Sequence, residues 1–258
     1  MKKRSIDFKK YSSIKIGPTL EVWIIEREDE DRKEFFIIGG ANNLLISDNP
    51  PPLAMLSKKY SYIEHKDNKL FIGAATPGGV VHSFCKRYNI GGFEFLKSLP
   101  GTIGGMVKMN AGLKEYEIFN NLLAIKTKRG YIPKSEIDFG YRYTDIKDTV
   151  FEAVFEIKDT FSKDRVEMFQ NLRKNQPKDP SAGSCFKNPK GDYAGRLIEA
   201  VGLRGFRVGG AAFSEKHANF LVNINNATFK DAFDLIRLAQ KRVYENFGIK
   251  LEREIKVL

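Results

Sequence analysis

Only two cysteines, Cys85 and Cys185, occur among the 258 residues, so neither a disulfide framework nor a spaced thiolate metal site is available. The three histidines, His65, His82 and His217, have no ligand spacing, and no metal is expected. None of them accompanies a Gly-x-Ser-x-Gly elbow, which removes a hydrolase triad. No stretch approaches the roughly 18 uninterrupted apolar residues of a membrane helix. The basic start Met1-Lys2-Lys3-Arg4 leads into no apolar core of the kind a signal peptide carries. The expected setting is a reducing cytoplasm, with no membrane partner.

Charge of one sign is in excess, at a formal +11, and calls for anions, either nucleic acid or phosphorylated small molecules. Acidic residues are interspersed with the basic ones, as in Glu26-Arg27-Glu28-Asp29-Glu30-Asp31-Arg32-Lys33. No dense Lys/Arg block occurs, and most of the charge reads as solvated surface, with no nucleic-acid partner expected. A hydrophobic content of 42% beside 29% charged residues is that of an ordinary globular chain, long enough for two modest domains.

β-branched and aromatic runs predict strands over 21–26, 34–38, 60–64 and 70–72, the last two joined at Asp67-Asn68. A short helix is expected over 79–88. A hairpin about Arg129-Gly130 joins 125–128 to 131–133, and 150–157 alternates as a half-buried strand. Past 159–163 the character changes, with helices over 166–174 and 194–201 and a strand over 220–224. Thr228 and Asp231 open a long helix whose apolar face is Phe229, Ala232, Phe233, Ile236, Ala239, Val243 and Phe247. Gly248 ends it, and 250–257 reads as a closing strand. The class is α+β, with one domain over 1–160, split near 58, and a second over 161–258.

The most informative segment is Pro180-Ser181-Ala182-Gly183-Ser184-Cys185-Phe186-Lys187-Asn188-Pro189. It brings a hydroxyl, an ammonium and a carboxamide together among small residues. Pro177, Pro180 and Pro189 forbid a helix, so the segment reads as a loop. Two further small-residue segments are Gly39-Gly40-Ala41-Asn42-Asn43-Leu44 and Pro100-Gly101-Thr102-Ile103-Gly104-Gly105, the latter leading to Asn110-Ala111-Gly112. Both let backbone amides approach an anion, and together they point to two contacts on one pyrophosphate. Neither has Rossmann or Walker spacing. Loops so far apart in the chain point to a composite site between domains.

Arg142, in the turn Tyr141-Arg142-Tyr143, is either a surface arginine lying over aromatics or a planar fork for a carboxylate. Glu252 and Glu254 share one face of the last strand with Lys250 and Lys256. They form either a salt-bridged edge or a carboxyl that seals a cleft. Ser184 has no base beside it, which makes it a poor nucleophile and a serviceable proton donor to a carbanion or enolate.

Taken together, these motifs resemble the UDP-N-acetylenolpyruvoylglucosamine reductase (UDP-N-acetylmuramate dehydrogenase) family of peptidoglycan synthesis over nearly the whole chain. The resemblance rests on Ile38 to Leu45, Leu99 to Gly112, Gly140-Tyr141-Arg142, Pro180 to Pro189, His217-Ala218-Asn219-Phe220 and Leu251 to Ile255, in the family's order. It implies FAD held by an N-terminal fold of the vanillyl-alcohol-oxidase type, NADPH as reductant, and a C-terminal α/β domain for a UDP-sugar substrate. The last strand would return to the active site. The two glycine segments would hold the FAD pyrophosphate, with Asn110, Ala111 and Gly112 nearby. Arg142 and Glu254 would stabilise the charge on the substrate carboxylate, and Ser184 would supply the proton, all on one side of the flavin ring. Lys187, Asn188 and Arg196 would meet the substrate.

The family commonly has glycine-serine where Ala41-Asn42 stand, and a lysine near Tyr193 whose charge Arg196 would replace. The short connection from Arg142 to Val150 resembles the subgroup without a tyrosine-bearing substrate loop. A monomer is expected. Two other readings stay open: a flavin enzyme of the same fold with another substrate, and a nucleic-acid-binding protein.

Overall fold

Strands Ile63–Lys66 and Lys69–Gly73 meet through Asp67 and Asn68, both at positive φ, as a two-residue turn of the right twist demands. In the computed structural model, which describes residues 1–258, this hairpin edges an antiparallel sheet. The strand order is Gly130–Pro133, Leu122–Thr127, Glu152–Glu156, Lys69–Gly73 and Ile63–Lys66. Helices Gly78–Arg87, Ile103–Lys108 and Lys163–Arg173 join its core, which buries Leu70, Ile72, Val81, Ile103, Val107, Phe155 and Phe169. A second sheet precedes it, in the order Lys2–Asp7, Thr19–Ile25, Leu53–Leu56 and Phe36–Ile37. Trp23 pairs with Ala54 and Phe36 with Leu53 in parallel. The two sheets lie in sequence on either side of residue 58.

The chain forms two compact units. The first comprises 1–4, 22–40 and 52–174, and the second 5–21, 41–51 and 175–258. This differs from the contiguous division expected at residue 160. The change of character near 160 marks the start of helix Lys163–Arg173, whose Phe169 is buried in the first core against Phe95 and Tyr116. Ile14, Ile16 and Leu45 belong to the second core instead.

The second unit is built on an antiparallel sheet in the order Ser181–Ser184, Phe220–Asn223, Ala211–Phe213 and Arg207–Val208. Its antiparallel pairing makes α+β, rather than α/β, the description of this unit. Helix Phe229–Phe247 packs on the core through Ala232, Leu235, Ile236, Ala239 and Val243. Leu235 thus joins the expected face. Phe247, in the last turn, is 41% exposed, and the Arg196 guanidinium lies 5.5 Å from its ring centroid.

Two expectations about regular structure are corrected. Residues 181–184 form an edge strand rather than a loop. An edge needs ladder donors on one side only, so flanking prolines are tolerated there. Residues 250–257 are not one strand, because only Lys256–Val257 is extended, in parallel with Leu44–Leu45. The residues before it bond to a different partner, the 185–187 backbone.

A threonine–aspartate cap and one buried asparagine close the second unit. Thr228 accepts from the Asp231 N–H at 3.1 Å, and Asp231 accepts from the Thr228 N–H at 3.0 Å. Asn223 donates to the carbonyls of Ile14 and Lys15 at 3.2 and 3.1 Å and accepts from the Ala227 N–H at 2.9 Å. Thr228→Ala is expected to lower the unfolding free energy by about 1 kcal/mol, the usual worth of an N-cap. Asn223→Ala strands one buried donor and loosens two carbonyls, at about 2–3 kcal/mol. Urea titrations that ranked the two the other way would contradict the assignment.

In the first unit His82 is 6% exposed, with its Nε2 unpartnered and its ring edge-on to Phe161. Burial holds its pKa below the ordinary 6.5, and Lys97 and Lys86 push the same way. As pH falls the unfolded chain takes up this proton first, so the stability from a neutral His82 is complete above about pH 6.5 and lost below it. His82→Phe is expected to flatten that acid slope in unfolding titrations at stepped pH. His217, also held low by burial, keeps part of it.

Candidate active site

Strand Phe36–Ile37 ends in Ile38, whose N–H bonds the Ala54 carbonyl at 2.8 Å and delivers the chain to Gly39. A Cβ on Gly39 would collide with Thr102 Oγ1, so the two glycine segments touch only because residue 39 has no side chain. A third segment completes the knot. Gly78 donates to Gly101 O at 2.9 Å, Ile103 to Thr76 O at 3.0 Å and Gly104 to Ala74 O at 2.9 Å. A Cβ on Gly104 would lie 2.9 Å from that of Ala74. The run Gly73-Ala74-Ala75-Thr76-Pro77-Gly78-Gly79 was not singled out from sequence, although its small residues are the same signal. None of these three stretches contains a carboxylate, and all present backbone rather than side chains. That surface suits the diphosphate of a dinucleotide.

Arg142 occupies the second turn position between strands Phe139–Gly140 and Tyr143–Thr144, at φ 54°. Its guanidinium lies 5.0 Å from the Tyr141 ring centroid, over an aromatic as one reading expected, but its side chain is only 12% exposed and so is largely withdrawn from the surface. Nη2 donates to Gly112 O at 2.6 Å and Nη1 to Asn110 O at 3.3 Å, with Glu117 Oε1 at 3.4 Å. Asn110 is fully buried. Its Nδ2 donates to Glu117 Oε2 and Gly140 O at 2.7 and 3.0 Å, and its Oδ1 accepts from the Phe119 N–H at 3.3 Å. The Asn110 carboxamide is therefore spent on holding the arginine hairpin, and Ala111, 8% exposed, lies beside it in sequence.

In the second unit a bulge aims Ser184. Ser181 pairs with Val222 and Ser184 with Phe220, and the register shifts between them. Gly183 takes up the extra residue at φ 82°, where a side chain would be strained. Ser181 Oγ donates to Leu221 O at 2.9 Å and accepts the Gly183 N–H at 3.2 Å. Ser184 itself is half-buried, and its hydroxyl makes no hydrogen bond to another protein group.

Glu254 lies alongside. Its N–H bonds Cys185 O at 2.9 Å, Phe186 bridges to Arg253, and the Lys187 N–H bonds Glu252 O at 2.9 Å. Asn43 Nδ2 donates to Glu254 O at 3.0 Å. The other edge of Phe186 is held by Asn219, which accepts its N–H at 3.0 Å and donates to its carbonyl at 2.8 Å. Burial first, and then the Glu254 carboxylate, push the Cys185 thiol well up, so the thiol is inert. Ser184, Glu254 and Asn43 thus sit on three adjoining segments of one unit.

The side chains expected to meet the substrate are already partly engaged. Lys187 Nζ pairs with Glu252 at 2.6 Å. Asn188 Oδ1 accepts the Ala194 N–H at 3.1 Å, which caps helix Ala194–Ala200. Arg196 Nε donates to Asp192 at 2.7 Å, and that hydrogen bond holds the Asp192 carboxyl down at about 2. Glu252 therefore does not share a role with Glu254, because its carboxylate faces Lys187 at the surface. Asn219 and Glu117 were missed as site residues: Asn219 stands inside the His217-Ala218-Asn219-Phe220 motif, while nothing in the sequence pointed to Glu117.

Residues 176–258 match the family model for the UDP-N-acetylenolpyruvoylglucosamine reductase C-terminal domain. UDP-N-acetylenolpyruvoylglucosamine reductase of Helicobacter hepaticus is 48% identical over 100% of both chains. That of Campylobacter jejuni is 47% identical over 98% of this chain and 99% of its own. The crystal structure of UDP-N-acetylenolpyruvylglucosamine reductase from Thermus caldophilus superposes with a TM-score of 0.85 at 32% identity, covering 100% of this chain and 99% of that one. With full-length relatives at this identity and a matching fold, the chain belongs to the UDP-N-acetylenolpyruvoylglucosamine reductase family.

Proposed function

We propose that this chain is an oxidoreductase that reduces the enolpyruvyl group of UDP-N-acetylglucosamine enolpyruvate to give UDP-N-acetylmuramate, for peptidoglycan synthesis. It uses FAD and NADPH. The first unit is read as a flavin-binding fold of the vanillyl-alcohol-oxidase type, and the second as the substrate domain. Bound FAD supplies a hydride donor at N5 that NADPH recharges. Gly39, Gly40, Gly101, Thr102 and Gly105 would hold its diphosphate through backbone N–H groups, with Ala41, Asn42, Asn43 and Leu44 continuing the first segment; Pro100 has no N–H and that of Gly104 is spent on Ala74 O, so these two shape the turn.

The reduction adds a hydride to the terminal alkene carbon and a proton to its neighbour, with the charge passing through the conjugated carboxylate in between. Arg142 and Glu254 stabilise that charge. Ser184 donates the proton from its hydroxyl to the carbon bearing the carboxylate, so the π bond is replaced by one new C–H bond on each carbon, the C–C single bond remains, and the serine oxygen takes a proton back from solvent. The observation that carries this reading is the unpartnered Ser184 hydroxyl, aimed by its bulge and lying in the unit that also holds the Glu254 segment. A donor that acts only when the carbanion develops lowers the barrier without tightening ground-state binding. Lys187, Asn188 and Arg196 are proposed to face the sugar nucleotide, the two cations toward its diphosphate.

Ser184→Ala is expected to slow oxidation of the reduced flavin by the enolpyruvyl substrate by about a hundred- to a thousand-fold. Flavin reduction by NADPH should stay within about two-fold, since that half-reaction needs no proton at this carbon. Anaerobic stopped-flow traces with equal losses in both half-reactions would remove the role. Gly39→Ala drives a methyl into Thr102 and parts the two glycine segments. The purified variant is expected to fold but lose its yellow flavin absorbance, and Gly39→Ala combined with Thr102→Ala should regain part of it.

A further inference from the structure

We propose that Glu117 is a positioning residue that sets the direction of the Arg142 guanidinium. This rests on the reading that Arg142 meets the substrate carboxylate. Strands Gly112–Leu113 and Tyr116–Glu117 form a short hairpin in which Gly112 stands opposite Glu117. A Cβ on Gly112 would lie 2.9 Å from Glu117 Cγ and 2.7 Å from its Cα. A Cβ there would also collide with the Tyr116 carbonyl, so residue 112 is a glycine because the facing backbone of 116–117 passes too close for a side chain, and the Glu117 stem shares that close approach. From there the carboxylate divides its oxygens, Oε2 taking the buried Asn110 Nδ2 at 2.7 Å and Oε1 facing Arg142 Nη1 at 3.4 Å.

The unequal distances bear on function. The tight contact of the guanidinium is with a neutral acceptor, Gly112 O at 2.6 Å, which fixes its plane. Its contact with the Glu117 carboxylate is the longer one, so that carboxylate sets the direction of the guanidinium rather than gripping it. A buried ion pair made for stability would show the reverse, with short charge-assisted bonds. Arg142 is also held at φ 54°, a conformation a long side chain adopts at a cost, and such strain is concentrated where a structure has a use for it. Asn110 completes the device by tying Glu117 to Gly140 O at 3.0 Å, so that the carboxylate and the arginine turn move as one body.

A double-mutant cycle on the flavin-loaded enzyme tests this, read as the rate at which the enolpyruvyl substrate reoxidises NADPH-reduced flavin. Glu117→Ala is expected to lower that rate by roughly ten- to a hundred-fold, the scale of a misplaced catalytic group. The NADPH half-reaction and flavin content should stay within about two-fold. Glu117→Gln keeps one acceptor oxygen but turns an amide N–H toward a donor, so its loss should be intermediate. It serves as the readout should Glu117→Ala fail to hold flavin. In an Arg142→Ala background either Glu117 change should have no further effect, because its consequence passes through the guanidinium. Equal losses with and without Arg142, or a full rate in Glu117→Ala while Arg142→Ala is slow, would overturn the proposal alone. A full rate in Arg142→Ala would overturn the Arg142 assignment, and this one with it.

Discussion

Phe186 lies in a segment hydrogen-bonded on both edges, through its own backbone on one edge and through Cys185 O and the Lys187 N–H on the other, without belonging to a regular strand. On one side the buried Asn219 carboxamide takes its N–H and its carbonyl, and on the other the terminal segment bridges at Arg253. A carboxamide carries both a donor and an acceptor in the spacing of a peptide group, so it can stand in for a strand where no strand fits. Everything expected of the second unit's chemistry depends on this clamp. It anchors the segment that follows Ser184 and brings Cys185, whose carbonyl takes the Glu254 N–H, against the terminal segment, next to the bulge of the Ser181–Ser184 strand. With Phe186 and Cys185 buried, water cannot replace the clamp, and an unpaired amide there would cost about as much as a lost buried hydrogen bond.

The first unit uses the same device. Asn110 is another fully buried carboxamide, and it satisfies Glu117, Gly140 and Phe119 at once. Its own carbonyl supports Arg142. Asn43 and Asn223 do comparable work, on Glu254 O and on the carbonyls of Ile14 and Lys15. Irregular backbone is what lets functional groups face a ligand, and irregular backbone leaves donors and acceptors unpaired. Asparagine meets that need with little volume and few rotatable bonds. Glycine meets the complementary need, close approach, at Gly39, Gly104 and Gly112.

Much of the local structure was legible from the chain. The Asp67-Asn68 turn, the Thr228/Asp231 cap and the stop at Gly248 stand where residue chemistry indicates. The two glycine segments were also recognisable as a pair, and in the first unit Gly39 does meet Thr102. The 181–184 strand was not legible, since its prolines and small residues carry no strand propensity and its pairing is supplied by Phe220–Asn223. Nor was the placement of 5–21 and 41–51, whose apolar residues fit either core by composition.

Sequence alone determined what depends on atoms a few positions apart: turns, caps and the apolar face of the long helix. Those features follow from backbone sterics and side-chain reach, which neighbours in the chain fully specify. Tertiary structure decided the partners across distance, such as Asn43 on Glu254 over a separation of 211 residues. It also decided which carboxylate stands beside Ser184's strand and which merely pairs with Lys187. Such partners are selected by burial and by the need to satisfy every polar group excluded from water, and that selection exists only once the chain has closed on itself.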